Sequence, residues 1–294
     1  MDVGIIGVGM MGHGIARNVM MRGKFKLSFL DHPGNQPVDE LLSLGATRCA
    51  TPRDVAAASD VIILCVTGSA QVEAVLTGPD GVLAALRPGA IVVDCSTSLP
   101  QSTLAMAGRV TEAGGAFIDA PMTRTVQHAH DGVLNLLVGG DAAVLAKVKP
   151  VLESFTERVD HVGDLSAGHR MKLLHNFVAV GFMSLLAEAA AQSADAGIDP
   201  QVFVDVLAHG GGGGTALDRL SPFITRGDAS GIPFAISNGF KDIGYYRTMA
   251  EQAGAQHTIA DGVLAALDAV VADGKGASHL PLLVELFRRT SVTA

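Results

Sequence analysis

Over the first half of the chain, short and almost continuously apolar runs alternate with longer segments whose apolar positions recur at helical spacing. The runs at 3–6, 26–30, 61–66, 91–94, 116–119 and 134–138 predict strands, and 12–21, 38–44, 70–76, 100–112 and 141–155 predict helices. Strands apolar on both faces need helices on both faces of their sheet, so the order implies a parallel α/β sheet with crossover helices. Past Gly163 the pattern changes. Ala, Leu, Val and Met recur at helical spacing through 171–195, 200–208, 242–252 and 259–272, and no convincing strand appears. The expected fold class is an α/β Rossmann-type N-terminal domain, residues 1–163, followed by an all-α domain, 164–294. A helix over about 166–194 is expected to open the second domain as its most buried element. The five-glycine run Gly210 to Gly214 predicts a loop.

Composition narrows the classes of partner. A chain of 294 residues can bury a sizeable core without staples. Lys and Arg number 21 against 29 Asp and Glu, a net charge of -8, so neither a nucleic acid nor an anionic membrane surface is an expected partner. The apolar stretch 177–191 is interrupted by Glu188 and is shorter than the roughly 20 residues a bilayer span needs, and it reads as a buried helix. Three dispersed cysteines and an N-terminus without an export pattern fit reduced thiols in a cytoplasmic protein. His128-Ala129-His130 is the one tight histidine pair, and no metal site is expected.

The first chemical signal is Gly7-Val8-Gly9-Met10-Met11-Gly12, which follows the first strand and opens a helix. In that context the glycines give a tight turn, let backbone amides approach a pyrophosphate and let helix pack on strand. Asp31, at the end of the second strand, can accept hydrogen bonds from adenine-ribose hydroxyls and would repel a 2'-phosphate, which favours NAD over NADP. It can equally be a solvated residue opening the turn 31–34. Farther on, Lys172 and Asn176 are four apart on one helix face, so an ammonium and an amide can address one small molecule together; a lysine snorkelling from a core helix gives the same pattern. His175 between them lines the same region or belongs to the core.

Together with Asp94-Cys95-Ser96-Thr97, Asp119-Ala120-Pro121, Gly168-x-x-x-Lys172-x-x-x-Asn176 and Lys241-Asp242, the glycine motif gives the chain a resemblance to the β-hydroxyacid dehydrogenases. The resemblance implies an oxidoreductase with Lys172 as general acid or base and Asn176 beside it in an interdomain cleft. It places cofactor contacts at Met10, Met11, Val66, Thr67, Thr97 and Lys241, and substrate contacts at Ser96 and in the loop after Pro121. Where most relatives carry a serine and two glycines, this loop has Met122-Thr123-Arg124-Thr125. A guanidinium offers a planar, two-pronged donor to a carboxylate, sulfonate or phosphate, flanked here by the Thr123 and Thr125 hydroxyls. The Arg-Thr pair is similar to the sulfolactaldehyde reductase branch, and a solvent-facing Arg is the plain alternative. The expected substrates are therefore a small anionic aldehyde and its hydroxyacid. Rivals are 3-hydroxyisobutyrate, tartronate semialdehyde and succinic semialdehyde chemistry or, in another class, a dinucleotide-binding sensor without turnover. A homodimer or homotetramer built through the helical domain is also implied. His279 stands near where relatives usually place an Asp after a second glycine, which leaves that C-terminal cofactor contact open.

Overall fold

A computed structural model describes residues 1–288 and divides them into two compact units that meet within one helix, after Lys172. In the first unit nine strands form one sheet: β1 Asp2–Ile6, β2 Lys26–Leu30, β3 Thr47–Cys49, β4 Val61–Leu64, β5 Ile91–Asp94, β6 Ala116–Asp119, β7 Met122–Thr123, β8 Leu134–Gly139 and β9 Thr156–Gly163. The order β3-β2-β1-β4-β5-β6 is parallel throughout. β8 then joins β6 and β7 antiparallel and β9 parallel. The helices of this unit are α1 Met10–Met21, α2 Asp39–Ser43, α3 Pro52–Ala57, α4 Ser69–Thr77, α5 Pro100–Glu112, α6 Val126–Asp131 and α7 Ala142–Leu152. They cover both faces of the sheet and close two apolar layers, one around Ile5, Ile63 and Val93 and the other around Ile6, Ile62 and Val92. Adjacent residues of a strand point to opposite layers, which is why these strands read as unbroken apolar runs.

α8, Ala167–Asp195, carries the chain into the second unit, followed by α9 Pro200–Ala208, α10 Thr215–Arg226, α11 Ile236–Gln252, α12 Thr258–Ala272 and α13 Leu283–Leu286. Val180, Met183, Leu186, Ala187 and Ala190 on α8 pack with Leu217, Leu220, Ile236, Ile243 and Leu267.

The short elements are where pattern reading fell short. β3, β7 and α6 are two to six residues long, too short to show a period. α3 is set by a capping box, Thr51 with Asp54, and by Pro52 at its first position. β9 was missed because it is polar: Glu157 and Arg158 are exposed. The glycine run does end α9, and α10 starts at its far end. One expectation needs correcting. α8, which spans nearly the expected residues, is not the most buried element, because Met171, Leu174, Val178 and Leu185 form an exposed apolar face along it.

The cysteines lie in the first unit. Burial pushes the Cys65 thiol up to about 12 and raises Cys95 as well, with nearby Asp94 adding to both.

Asn18 joins α1 to α6. It is buried, and its Nδ2 lies 2.9 Å from Gly14 O, 3.0 Å from Ala129 O and 2.8 Å from His130 O. Asn18→Leu keeps the branched shape, removes the amide donor and leaves His130 O without it. We expect a loss of about 1–3 kcal/mol, or about 2–4 °C in Tm per kcal/mol, read by thermal denaturation. An unchanged Tm would mean that the amide contributes nothing to the α1–α6 contact.

Candidate active site

The parallel order reverses direction at β1 and β4: the chain leaves β1 toward β2 on one side and later returns to add β4 on the other. At such a switch point the loops diverge and leave a crevice at the carboxyl ends of the strands. The glycine turn lies there, and two of its glycines have a measurable steric reason. A Cβ on Gly7, whose φ is +100°, would stand 2.2 Å from Cys65 O, and one on Gly12 would stand 1.9 Å from Gly7 O. Gly9 meets nothing within 4 Å. It is also the N-cap of α1, with no capping side chain and no acidic residue in the first turn, so the backbone N–H groups there can receive an anion. The turn therefore fits a dinucleotide pyrophosphate. Met10 is exposed and Met11 half-buried beside it. Val66 and Thr67 follow β4 on the other side of the crevice, and Asp31 follows β2. Asp31 Oδ2 is 3.4 Å from Arg48 Nη1 on β3, a partner that sequence reading missed.

The ends of β5 and β6 hold the start of α8. Asp119, fully buried at the end of β6, accepts from Ser166 N at 2.8 Å and His169 N at 2.7 Å, one carboxylate oxygen for each. It thus acts as the helix cap, and burial raises its pKa against the pull of His169 and those backbone donors. Gly168 lets the strand come this close, since a Cβ there would lie 2.3 Å from Leu137 O and 2.8 Å from Asp119 Oδ2. Ser166, with φ of +76°, turns the chain into the helix. Lys172 follows one turn later and is half-buried.

The loop after β5 is braced from within. Ser96 is buried, its Oγ accepts from Val66 N at 3.0 Å, and its N donates to Asp94 Oδ1 at 2.9 Å. It is a strut between neighbouring strand ends, and Thr97 beside it is half-buried.

In the second unit, Asn176 is buried and its amide is oriented from both sides. Nδ2 donates to Asp242 Oδ2 at 2.6 Å, and His175 Nδ1 lies 2.9 Å from Oδ1. Asp242 is buried inside α11. Lys241 Nζ lies 2.9 Å from its Oδ1, an ion pair by distance without an aligned hydrogen bond, and 5.2 Å from the Tyr245 ring centroid. The Lys241-Asp242 pair was visible in sequence. That the carboxylate serves Asn176 was not, because 66 residues separate them.

Arg124 is more engaged than its sequence position implied. Its φ is +82°, and its Nη1 donates to Val133 O at 2.7 Å and pairs with Glu157 on β9. Nη1 of the guanidinium is thus already committed to Val133 O and Glu157. Thr123 pairs with Asn135 in the β7–β8 ladder, and Thr125 Oγ1 is 2.7 Å from His128 Nδ1.

Residues 2–163 match the family model of the NAD-binding domain of 6-phosphogluconate dehydrogenase. Residues 166–286 match that of the NAD-binding region of NADP-dependent 3-hydroxyisobutyrate dehydrogenase. The chain is 35% identical to a 2-(hydroxymethyl)glutarate dehydrogenase of Eubacterium barkeri over 82% of this chain and 80% of that one. It is 32% identical to an NAD-dependent L-serine dehydrogenase of Pseudomonas aeruginosa over 76% and 74% respectively. A crystal structure of 3-hydroxyisobutyrate dehydrogenase from Salmonella typhimurium superimposes with a TM-score of 0.85 at 28% identity, covering 98% of this chain and 100% of that one. With a Rossmann-type sheet, a glycine turn shaped for pyrophosphate and a helical second unit, the chain belongs to the β-hydroxyacid dehydrogenases, NAD(P)-dependent oxidoreductases acting on the hydroxyl groups of small hydroxyacids.

Proposed function

We propose that this protein interconverts a small hydroxyacid with an anionic end and the corresponding aldehyde, using NAD in preference to NADP, with Lys172 as the proton-transferring group. The observation that carries the reading is the pair Lys172 and Asn176, one turn apart on a helix capped by the Asp119 carboxylate, with the Asn176 amide oriented by buried Asp242. A bound nicotinamide supplies or accepts the hydride. In the reducing direction Lys172 donates a proton to the carbonyl oxygen as negative charge builds there, and in the oxidising direction neutral Lys172 takes it back. With Asp242 accepting at Nδ2 on one side, the second Nδ2 proton of Asn176 is directed to the same oxygen or a neighbouring hydroxyl. The two relatives at 35% and 32% identity bear the names of a glutarate and an amino-acid dehydrogenase, both carboxylate-bearing substrates.

The test is a panel of succinic semialdehyde, tartronate semialdehyde, sulfolactaldehyde and neutral aldehydes with NADH. We expect turnover of an anionic member and a loss of about 10²- to 10⁴-fold in kcat for Lys172→Ala, with NADH affinity little changed. Arg124→Ala in the same panel reports on the anion: a loss confined to charged aldehydes makes Arg124 a substrate contact that leaves Glu157, and equal small losses make it a tie to β9. NADH binding without turnover of any member would replace the reading with a dinucleotide sensor.

For the cofactor, Asp31 opposes a 2'-phosphate while Arg48, 3.4 Å away, offsets part of that repulsion. We therefore expect a graded preference for NADH. Asp31→Ser should narrow it and Arg48→Ala widen it, measured as the ratio of kcat/KM for the two cofactors. A wild-type preference for NADPH overturns this assignment.

We also propose that a second copy of the chain covers the exposed face of α8, where Val178 is 66% and Leu185 64% exposed, with Val202 and Val206 exposed on α9. Light scattering after gel filtration should give a dimer or tetramer. Val178→Glu with Leu185→Glu should shift it toward monomer, and a wild-type monomer at micromolar concentration rejects the proposal.

A further inference from the structure

The first unit buries a polar cluster that the proposed chemistry does not use. His169 is 0% exposed, as are Asp94 and Asp119, and Ser96, Ser98 and Thr103 around it are at most 3% exposed. Its Nε2 lies 3.1 Å from Ser96 O, and its Nδ1 lies 2.7 Å from Thr103 Oγ1. Asp94 Oδ2 and Asp119 Oδ2 each lie 3.8 Å from a ring nitrogen. A carbonyl oxygen only accepts, so Nε2 carries a proton whatever the charge on the ring. Two carboxylates and an imidazole are costly to bury where leucines would fit more cheaply, and what such a network offers in return is one discrete arrangement of the elements it joins.

Those elements are specific. Through Ser96 the ring reaches the loop after β5, where Thr97 lies, and Ser96 also holds Val66 after β4. Through Thr103 it reaches α5, and Thr103 Oγ1 in turn lies 3.1 Å from Leu99 O. Its own backbone N binds Asp119 after β6. Lys172 is three residues along the same helix, about 4.5 Å of rise at 1.5 Å per residue. Asp119 holds the helix start through backbone N–H groups alone. The imidazole adds a second, side-chain attachment to a different strand end, which fixes where around its axis the helix directs residue 172.

We propose that His169 is a positioning residue: it fixes the first turn of α8 against the loop after β5, and so sets Lys172 relative to the cofactor-side residues Val66 and Thr97. The inference rests on the reading of Lys172 as the proton donor. Misplacing a reacting group by about 1 Å can cost on the order of 10²-fold, so His169→Leu should lower kcat about 10- to 100-fold. NADH Kd and aldehyde KM should stay within about threefold. His169→Gln, whose amide N–H can donate to Ser96 O, should recover most of the loss. Thr103→Val, a milder change that keeps the ring, should cost about 3- to 10-fold in kcat and serves if the leucine variant fails to fold. Hydrogen–deuterium exchange provides a readout that needs no turnover: in the variants, amides of 95–99 and of 166–172 should lose protection together while β1 and β2 keep theirs. Wild-type enzyme inactive across the aldehyde panel would overturn the proposed function, and the exchange result would still decide whether His169 joins the two segments. Unchanged kcat in an active background, or a glutamine variant no better than leucine, overturns the positioning role. Loss of protection in one segment only, or across the whole unit, does the same.

Discussion

The Asp119 carboxylate at the start of α8 is the contact on which the candidate site depends. A helix of 29 residues begins there, with backbone donors from Ser166 and His169 that have no partner within the helix. Placing the acceptor on β6 instead of on a capping side chain of the helix itself ties the helix to the sheet. Gly139 and Gly168 are the concession to that closeness, since a side chain on either would overlap the carboxylate. The sequence elements Asp119-Ala120-Pro121 and Gly168-x-x-x-Lys172 are thus two halves of one joint.

A similar division of labour operates in the second unit. The Asn176 amide is useful only if its nitrogen faces a fixed way, and Asp242 on α11 determines that by accepting from Nδ2. Neither carboxylate has to meet a reactant. Asp242 holds the Asn176 amide and Asp119 holds the start of the helix that carries Lys172, and each is buried, where hydrogen bonds are stronger than they would be in water.

How much of this was legible in sequence followed from how far apart the cooperating residues stand. The six apolar strands and the long helices announced themselves because period and burial coincide over many residues. The glycine turn was legible because its chemistry is local: strand, turn and helix are contiguous. β9 was invisible because its residues are polar, and the tie of Arg124 to Glu157 was not foreseen because its partner lies on that unrecognised strand, 33 residues on. His169, Arg48 and the tie of Asp242 to Asn176 were missed for the same reason. Each acts through a partner fixed only by folding, and no spacing rule links Arg48 to Asp31 or His169 to Ser96.

Cys65 and Cys95 directly follow the neighbouring strands β4 and β5; Cys65 is half-buried against Gly7 of the glycine turn, Cys95 is buried, and burial raises both thiols. A thiol as buried as that of Cys95 reacts with an alkylating reagent only when the sheet opens. Cys95 is therefore a built-in clock for the centre of the sheet: its modification rate in the native protein counts openings one strand away from the place where the pyrophosphate crevice is formed. A dinucleotide bound at that crevice should slow the count without touching the sulfur.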